Sequence, residues 1–418
     1  MSGKNEPAQA APRPLDGIRV VDMSTVLMGP LATQIFGDYG ADVIKVEPPE
    51  GDVARHAGTC KVPAMGSMYL ASGRNKRSIV LDVKAPQGKE ALLDLCRNAD
   101  VFIHNVRPEG MRRAGLDYED LRAINPRLIY VALVGFGSGG CYANRPAFDD
   151  IIQGATGLAG LFFEQGLPQP IFVPWNAADR LTGTTAVHAT LAALLLRART
   201  GEGQFIEVPM FETVAQMVLG DHLGGLAYEP QVGPAGYSRL LSPGRKPYRT
   251  AEGFIVVTPY NDKQFSALFD LLEVPEATRQ LPIFASLEVR QKNWPAIYEL
   301  LSDAFLGKSA KDWAKLLNDA AIPSAAVSSI TDLVADPHLE QVELFEISDH
   351  PTVGRIRQMR PTTTWSNADV SIWRHAPLIG EQSVEILQEL GYEAEKIDAM
   401  LEAGITKTPD THFVSKPT

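Results

Sequence analysis

The chain predicts an α/β fold with a mostly parallel sheet, joined by a smaller α+β domain. Three observations support this: a strand, helix, strand unit at the start, repetition of that alternation as far as residue 134, and a change of character after residue 203.

The first unit comprises the apolar run 18–22 (Ile-Arg-Val-Val-Asp), a stretch of helical spacing over 29–39, and a second apolar run at 43–47 (Val-Ile-Lys-Val-Glu). The pattern returns with an extended segment at 78–82, a helix over 86–98 marked by Ala91, Leu92, Leu93 and Leu95, an extended run at 101–104 and a strongly apolar strand at 128–134. Strands that alternate with helices form parallel sheets covered by helices, so the large domain reads as Rossmann-like. Residues 176–197 spell a helix of small side chains, closed by Thr200-Gly201-Glu202-Gly203 and followed by the apolar alternation 204–208. Beyond it, 220–244 is loop-rich, 248–259 carries strand signals around Ala251-Glu252-Gly253, and helical stretches recur from 261 to 319, notably 262–272 and 310–317. Short strands follow residue 337, then a helix over 381–390. The expected division is a large α/β domain over 14–224, a small α+β domain over 225–330, and a return to the large domain over 331–418.

With 418 residues and a mass of 45.4 kDa, 45% hydrophobic and 21% charged, the chain has apolar material for one large core and a smaller second one. A net charge of −11 and a sequence pI of about 5.3 argue against nucleic acid or an anionic membrane as partner, since both demand a basic surface. Cys60, Cys96 and Cys141 match neither zinc-ligand nor disulfide spacing, which suits a reducing cytoplasm. No apolar run approaches the roughly 20 residues of a membrane span. Residues 1–13 are polar and rich in Ala and Pro, without the apolar core of a signal peptide, and read as a disordered tail.

A strand, helix, strand unit whose second strand closes on Glu47 also suggests a dinucleotide site, where an acidic residue grips ribose; the protein would then be a nicotinamide oxidoreductase. The turn after the first strand is Met23-Ser24-Thr25-Val26-Leu27-Met28-Gly29-Pro30, which lacks the G-x-G-x-x-G that brings backbone up to a pyrophosphate. The later glycine run 135–140 is either a plain loop or bare backbone against which a nucleotide or thioester can lie.

Taken together, these segments resemble the class III CoA-transferases, the family that includes formyl-CoA transferase and the alpha-methylacyl-CoA racemases. The resemblance runs through 14–22, Gly29-Pro30, 32–39, 40–47, 75–84, 99–108, Asp179 and the turn 199–204. It implies an intertwined homodimer, acyl-CoA and a carboxylic acid as substrates, the coenzyme A thioester thus being substrate, and no tightly bound cofactor or metal. It places Asp179 at the catalytic aspartate. Leu27, Met28, Leu81, Lys84, Asn105, Val106, Arg107, Arg113, Val134, Gly135, Phe136 and Gly137 fall where the family contacts coenzyme A. Pro48 stands where some relatives place a basic residue.

In an acidic protein the phosphates of coenzyme A need local cations. Arg74, Lys76, Arg77 and Lys84 make one candidate group and Arg107, Arg112 and Arg113 another, the alternative being solvated surface charge. From local sequence alone Asp179 is a helix N-cap. The resemblance makes it a nucleophile that, shielded from water, takes up the acyl group as a mixed anhydride and then coenzyme A as a thioester. Racemases of the family set a histidine followed by Asp opposite the aspartate. Here Phe148 precedes Asp149, and phenylalanine carries no proton, which favours transfer over racemisation or epimerisation. His188, in the small-residue helix, and His104, at a strand end, offer no substitute. Arg245 and Lys246, before Tyr248, either hold a second carboxylate of a dicarboxylic acid or are solvated. A non-catalytic acyl-CoA-binding protein is the alternative from a different class.

Overall fold

The apolar runs become one parallel sheet. In the computed structural model, which describes residues 11–410, its strands are β1 (Arg19–Met23), β2 (Asp42–Glu47), β3 (Lys76–Val80), β4 (Val101–His104), β5 (Ile129–Val134) and β6 (Gln204–Pro209). They lie in the order β3-β2-β1-β4-β5-β6, every neighbouring pair parallel. β5 is buried along its whole length because helices cover both faces, which is why it reads as an unbroken apolar run rather than an alternation. The chain fills one side of β1 with β2 and β3, then crosses to the other side for β4. The carboxyl ends of β1 and β4 therefore meet at a topological switch point, the place where sheets of this kind bind ligands.

Helix α1 (Met28–Asp38) joins β1 to β2, and α2 (Pro86–Arg97) joins β3 to β4 with Pro86 at its first position, where a missing N–H costs nothing. α3 (Pro108–Ala114) follows β4 and ends on Gly115, whose φ of +62° closes the helix in a left-handed cap. α4 (Asp149–Ala155) precedes α5 (Ala177–Thr200), the helix that carries Asp179. α5 lies close along α1: a Cβ placed on Gly183 would stand 2.5 Å from the Met28 carbonyl oxygen, so only glycine allows this approach. The core gathers Val21, Ile44, Leu92, Phe102 and Tyr130 with Ile386 and Leu387 of a C-terminal helix. That helix is tied to β3 where the Val80 N–H donates to Ser383 Oγ (3.1 Å).

Three of the cations read as phosphate ligands are spent inside this fold. Lys76 is buried and donates to Asp22 (3.1 Å) and Thr33 (2.7 Å). Arg74 grips Asp38 with two hydrogen bonds (3.0 and 2.7 Å), and Arg77 does the same to Asp42 (3.0 and 2.8 Å) while also reaching Glu385 and Glu389. Each has its charge met by a carboxylate, so none is left to hold a ligand.

The chain divides into two units. Among the described residues the first is built from 11–155, 174–215 and 341–410. Besides the six-stranded sheet it contains an antiparallel hairpin of Phe345–His350 with Gly354–Met359. The second unit, 156–173 with 216–340, is α+β. Its antiparallel strands Tyr248–Arg249, Phe254–Val257 and Ser324–Ala326 lie beside a core of Phe265, Leu268, Trp294, Phe305, Trp313 and Leu317. Most of the expected disordered tail lies outside the described residues, but Arg13 at its end is held, paired with Asp369 at 3.2 Å and set over the Trp373 ring. Among the described residues no helix is long and apolar enough to cross a membrane.

Candidate active site

The first turn of α5 opens on a cavity of about 380 Å3 at the carboxyl edge of the sheet. Its walls come from Thr25, Val26 and Met28 after β1, Asn105, Arg107 and Pro108 after β4, Leu133, Val134 and Gly135 at the end of β5, and the 145–149 segment with Asp179.

Asp179 is the third residue of its helix and not the N-cap expected from local sequence. Asn176 occupies the cap position and makes no side-chain cap bond. Instead, the Asp179 N–H donates to Asp149 Oδ1 (3.0 Å), while Asp149 Oδ2 accepts from Gln153 (2.6 Å). An acid from a neighbouring helix thus satisfies one of the orphan donors of α5. Burial and the Asp149 charge together push the half-buried Asp179 carboxyl up to about 6, against a smaller downward pull from Arg180. The group is ionised at neutral pH yet poorly hydrated, the state in which a carboxylate is most reactive.

The rim opposite is braced. Asn105 Oδ1 accepts from the Thr25 N–H (2.9 Å) and Asn105 Nδ2 donates to the Thr25 carbonyl (2.8 Å), stitching the ends of β1 and β4 together. Val26 sits at φ +69°, a left-handed conformation costly for a β-branched residue, and its N–H is caught by Asp52 Oδ1 (3.0 Å). Asp52 is in turn paired with buried Lys45 (2.7 Å). Gly135 is glycine for packing reasons, since a Cβ there would meet the Ala147 Cβ at 2.2 Å.

Of the residues expected to contact coenzyme A, Met28, Asn105, Arg107, Val134 and Gly135 share this cavity with Asp179. Leu81 and Lys84 line a smaller cleft of about 150 Å3 together with Glu47 and Pro48. Val106 and Arg113 are exposed, Leu27 is buried, and Phe136 is buried against Tyr142 and Phe211. Two amides of the glycine run are occupied: the Gly137 N–H donates to Glu212 (3.0 Å) and the Ser138 N–H to Glu207 (2.9 Å). His104 is buried, accepts from the Val106 N–H at Nδ1, and is lowered by burial to about 3, while His188 is exposed. Arg245 and Lys246 line a cavity of about 250 Å3 within the second unit.

Sequence reading missed the role of Asp149, because it acts on a backbone N–H 30 residues away. Glu47, the proposed ribose ligand of the dehydrogenase reading, is already taken: it accepts from Arg55 (2.7 and 2.6 Å) and Ser78 (2.6 Å) and is 1% exposed. Among the described residues no group of three or more His, Cys, Asp or Glu is placed to hold a metal ion.

The model of CoA-transferase family III matches residues 15–383 of this chain. The chain belongs to that family. This CoA-transferase is 31% identical over 405 residues to a protein named succinyl-CoA:glutarate CoA-transferase from Homo sapiens, covering 96% of this chain and 91% of that protein. It is 34% identical over 401 residues to succinate–glutarate CoA-transferase from Agrobacterium fabrum, covering 90% and 96%. Among solved structures, a CaiB/BaiF family protein from Brucella suis superposes with a TM-score of 0.78 at 32% identity, covering 91% of this CoA-transferase and all of that chain.

Proposed function

We propose that this class III CoA-transferase moves coenzyme A from an acyl thioester to a free carboxylic acid, with Asp179 as covalent carrier. The observation that carries the reading is a half-buried carboxylate, raised to about 6, at the start of a helix inside a cavity on the sheet's switch point.

In the first step Asp179 attacks the thioester carbonyl, the carbon–sulfur bond breaks, and coenzyme A leaves as thiolate while a mixed anhydride forms on the enzyme. The thiolate then attacks the aspartyl carbonyl, which releases the first acid and leaves Asp179 as an enzyme thioester. An incoming carboxylate attacks that thioester to give a second anhydride, and the thiolate returns to the new acyl carbon. The product thioester departs and Asp179 is free again. Every intermediate is an activated acyl group, so the energy of the first thioester is conserved through the cycle.

Met28, Asn105 and Arg107 beside Asp179, with Leu81 and Lys84 in the neighbouring cleft, are the groups we assign to coenzyme A. Phe148, 70% exposed on the cavity wall, offers no base for alpha-proton abstraction, which supports transfer over racemisation. Three free cysteines and the acidic surface support a cytoplasmic setting, and the resemblance alone supports an intertwined homodimer.

The reading is tested with hydroxylamine, which traps acyl-enzymes. Wild type should be inactivated only after exposure to acyl-CoA, with the modification on Asp179. Full transfer activity in Asp179→Ala ends the assignment.

A further inference from the structure

We propose that Arg145 selects substrates bearing a second carboxylate, so that both the acyl donor and the acid acceptor are derived from dicarboxylic acids. The inference rests on Asp179 being the acyl carrier.

Arg145 lines the Asp179 cavity, and among the described residues no carboxylate stands within ion-pair distance of it. It is also held in place. Its guanidinium lies 3.9 Å from the centroid of the Tyr142 ring, and Tyr142 packs edge-on against Phe136 and Phe211, with Phe136 6% exposed. Stacking uses the face of a guanidinium and leaves the in-plane N–H groups free, the ones that match a carboxylate two at a time. Arg145 is exposed, as is Tyr142 at 38%, so the ring restrains the guanidinium on one face without burying it; a cation restrained in this way loses less side-chain freedom on meeting an anion than one with no such contact.

Charge decides which anion. The cavity already holds Asp149 and Asp179. A monocarboxylic acid consumes its only charge when it becomes an acyl group, leaving Arg145 without a partner in every intermediate. A dicarboxylic acid reacts at one end and keeps the other charged throughout the cycle. Met28, Leu133 and Val134 provide an apolar wall for the methylenes between. Arg107, by contrast, falls where the family contacts coenzyme A.

The test compares succinyl-CoA with butyryl-CoA, equal in chain length but differing in the terminal carboxylate, by the single-turnover rate at which each labels Asp179 of the full-length enzyme. Wild type should react faster with succinyl-CoA. Arg145→Ala should slow succinyl-CoA by roughly 10- to 100-fold, as expected for a lost charge-assisted hydrogen bond, and leave butyryl-CoA unchanged. Arg145→Lys should recover part of the loss. Equal slowing of both donors would assign Arg145 to the phosphates of coenzyme A, and no slowing of either would leave it without a role; both results overturn the proposal, as does a wild type that prefers butyryl-CoA. Absence of any label on Asp179 in wild type would remove the acyl-carrier reading, and the proposal with it.

Discussion

The Asp149 carboxylate accepts a hydrogen bond from the backbone N–H of Asp179 at 3.0 Å, so one acid both anchors the turn that carries the other and repels its charge. The two effects separate in Asp149→Asn, which keeps an oxygen acceptor and loses the charge. The acidic limb of kcat/KM, which the Asp179 carboxyl raised to about 6 should set in wild type, should then move to lower pH. Asp149→Ala loses the acceptor too and should cost about 1 kcal/mol of stability, the usual value of a lost helix-terminal bond. A pH profile that does not move in Asp149→Asn contradicts the electrostatic part.

Asp179→Asn should separate activity from stability. Removing the nucleophile should lower kcat by roughly four orders of magnitude or more. The folded-state pKa lies above the ordinary carboxylate value, so ionisation of Asp179 opposes folding, and stability is lost as pH rises through about 6. The Asn variant should therefore melt at or above wild type at pH 7, with the gain shrinking as pH falls from about 6 towards 4 and gone below that. Thermal melts across that range check the sign.

Gly183 sets how closely α5 approaches α1. In Gly183→Ala the new methyl carbon meets the Met28 carbonyl at 2.5 Å, which backbone must yield to. Overpacking of this kind costs about 1–3 kcal/mol, and a shift of Asp179 by about 1 Å can cost roughly 100-fold in rate. Activity should fall by more than stability alone explains, read as kcat at a temperature where the variant is fully folded.

Arg55 and Glu47 form a buried pair, each side chain 1% exposed, and Glu47 borders the smaller cleft of Leu81 and Lys84. Although burial alone would raise Glu47, its hydrogen bonds and attraction to Arg55, aided by Lys45 and Ser78, hold it at about 2. Arg55→Met strands that carboxylate and should cost about 3–5 kcal/mol in denaturant melts. In wild type the Glu47 contribution is present above the ordinary carboxylate range and is lost as pH falls through about 2.

The strands and the helix of Asp179 were legible because burial on both faces writes itself into adjacent residues, as along β5. Charged partners were not. Arg74, Lys76 and Arg77 resemble a phosphate cluster when read along the chain, yet their carboxylates lie 36, 54 and 35 residues away and meet them only in the folded chain. The same limit hid Asp149, and it misled the capping argument for Asp179, since a helix N–H satisfied from another helix leaves no local trace. In the glycine run the same limit hid two partners: Glu212 and Glu207, far along the chain, accept from the Gly137 and Ser138 amides, while Gly135 lines the Asp179 cavity.

The most direct test follows oxygen. If the acceptor acid joins Asp179 through an anhydride that the thiolate opens at the new acyl carbon, one oxygen of the acid stays on the enzyme at each turnover. Transfer to an acid labelled with oxygen-18, followed by digestion and mass spectrometry, should find heavy oxygen in the carboxyl of Asp179 and in no other acidic residue. Product formed with Asp179 still unlabelled would contradict the account.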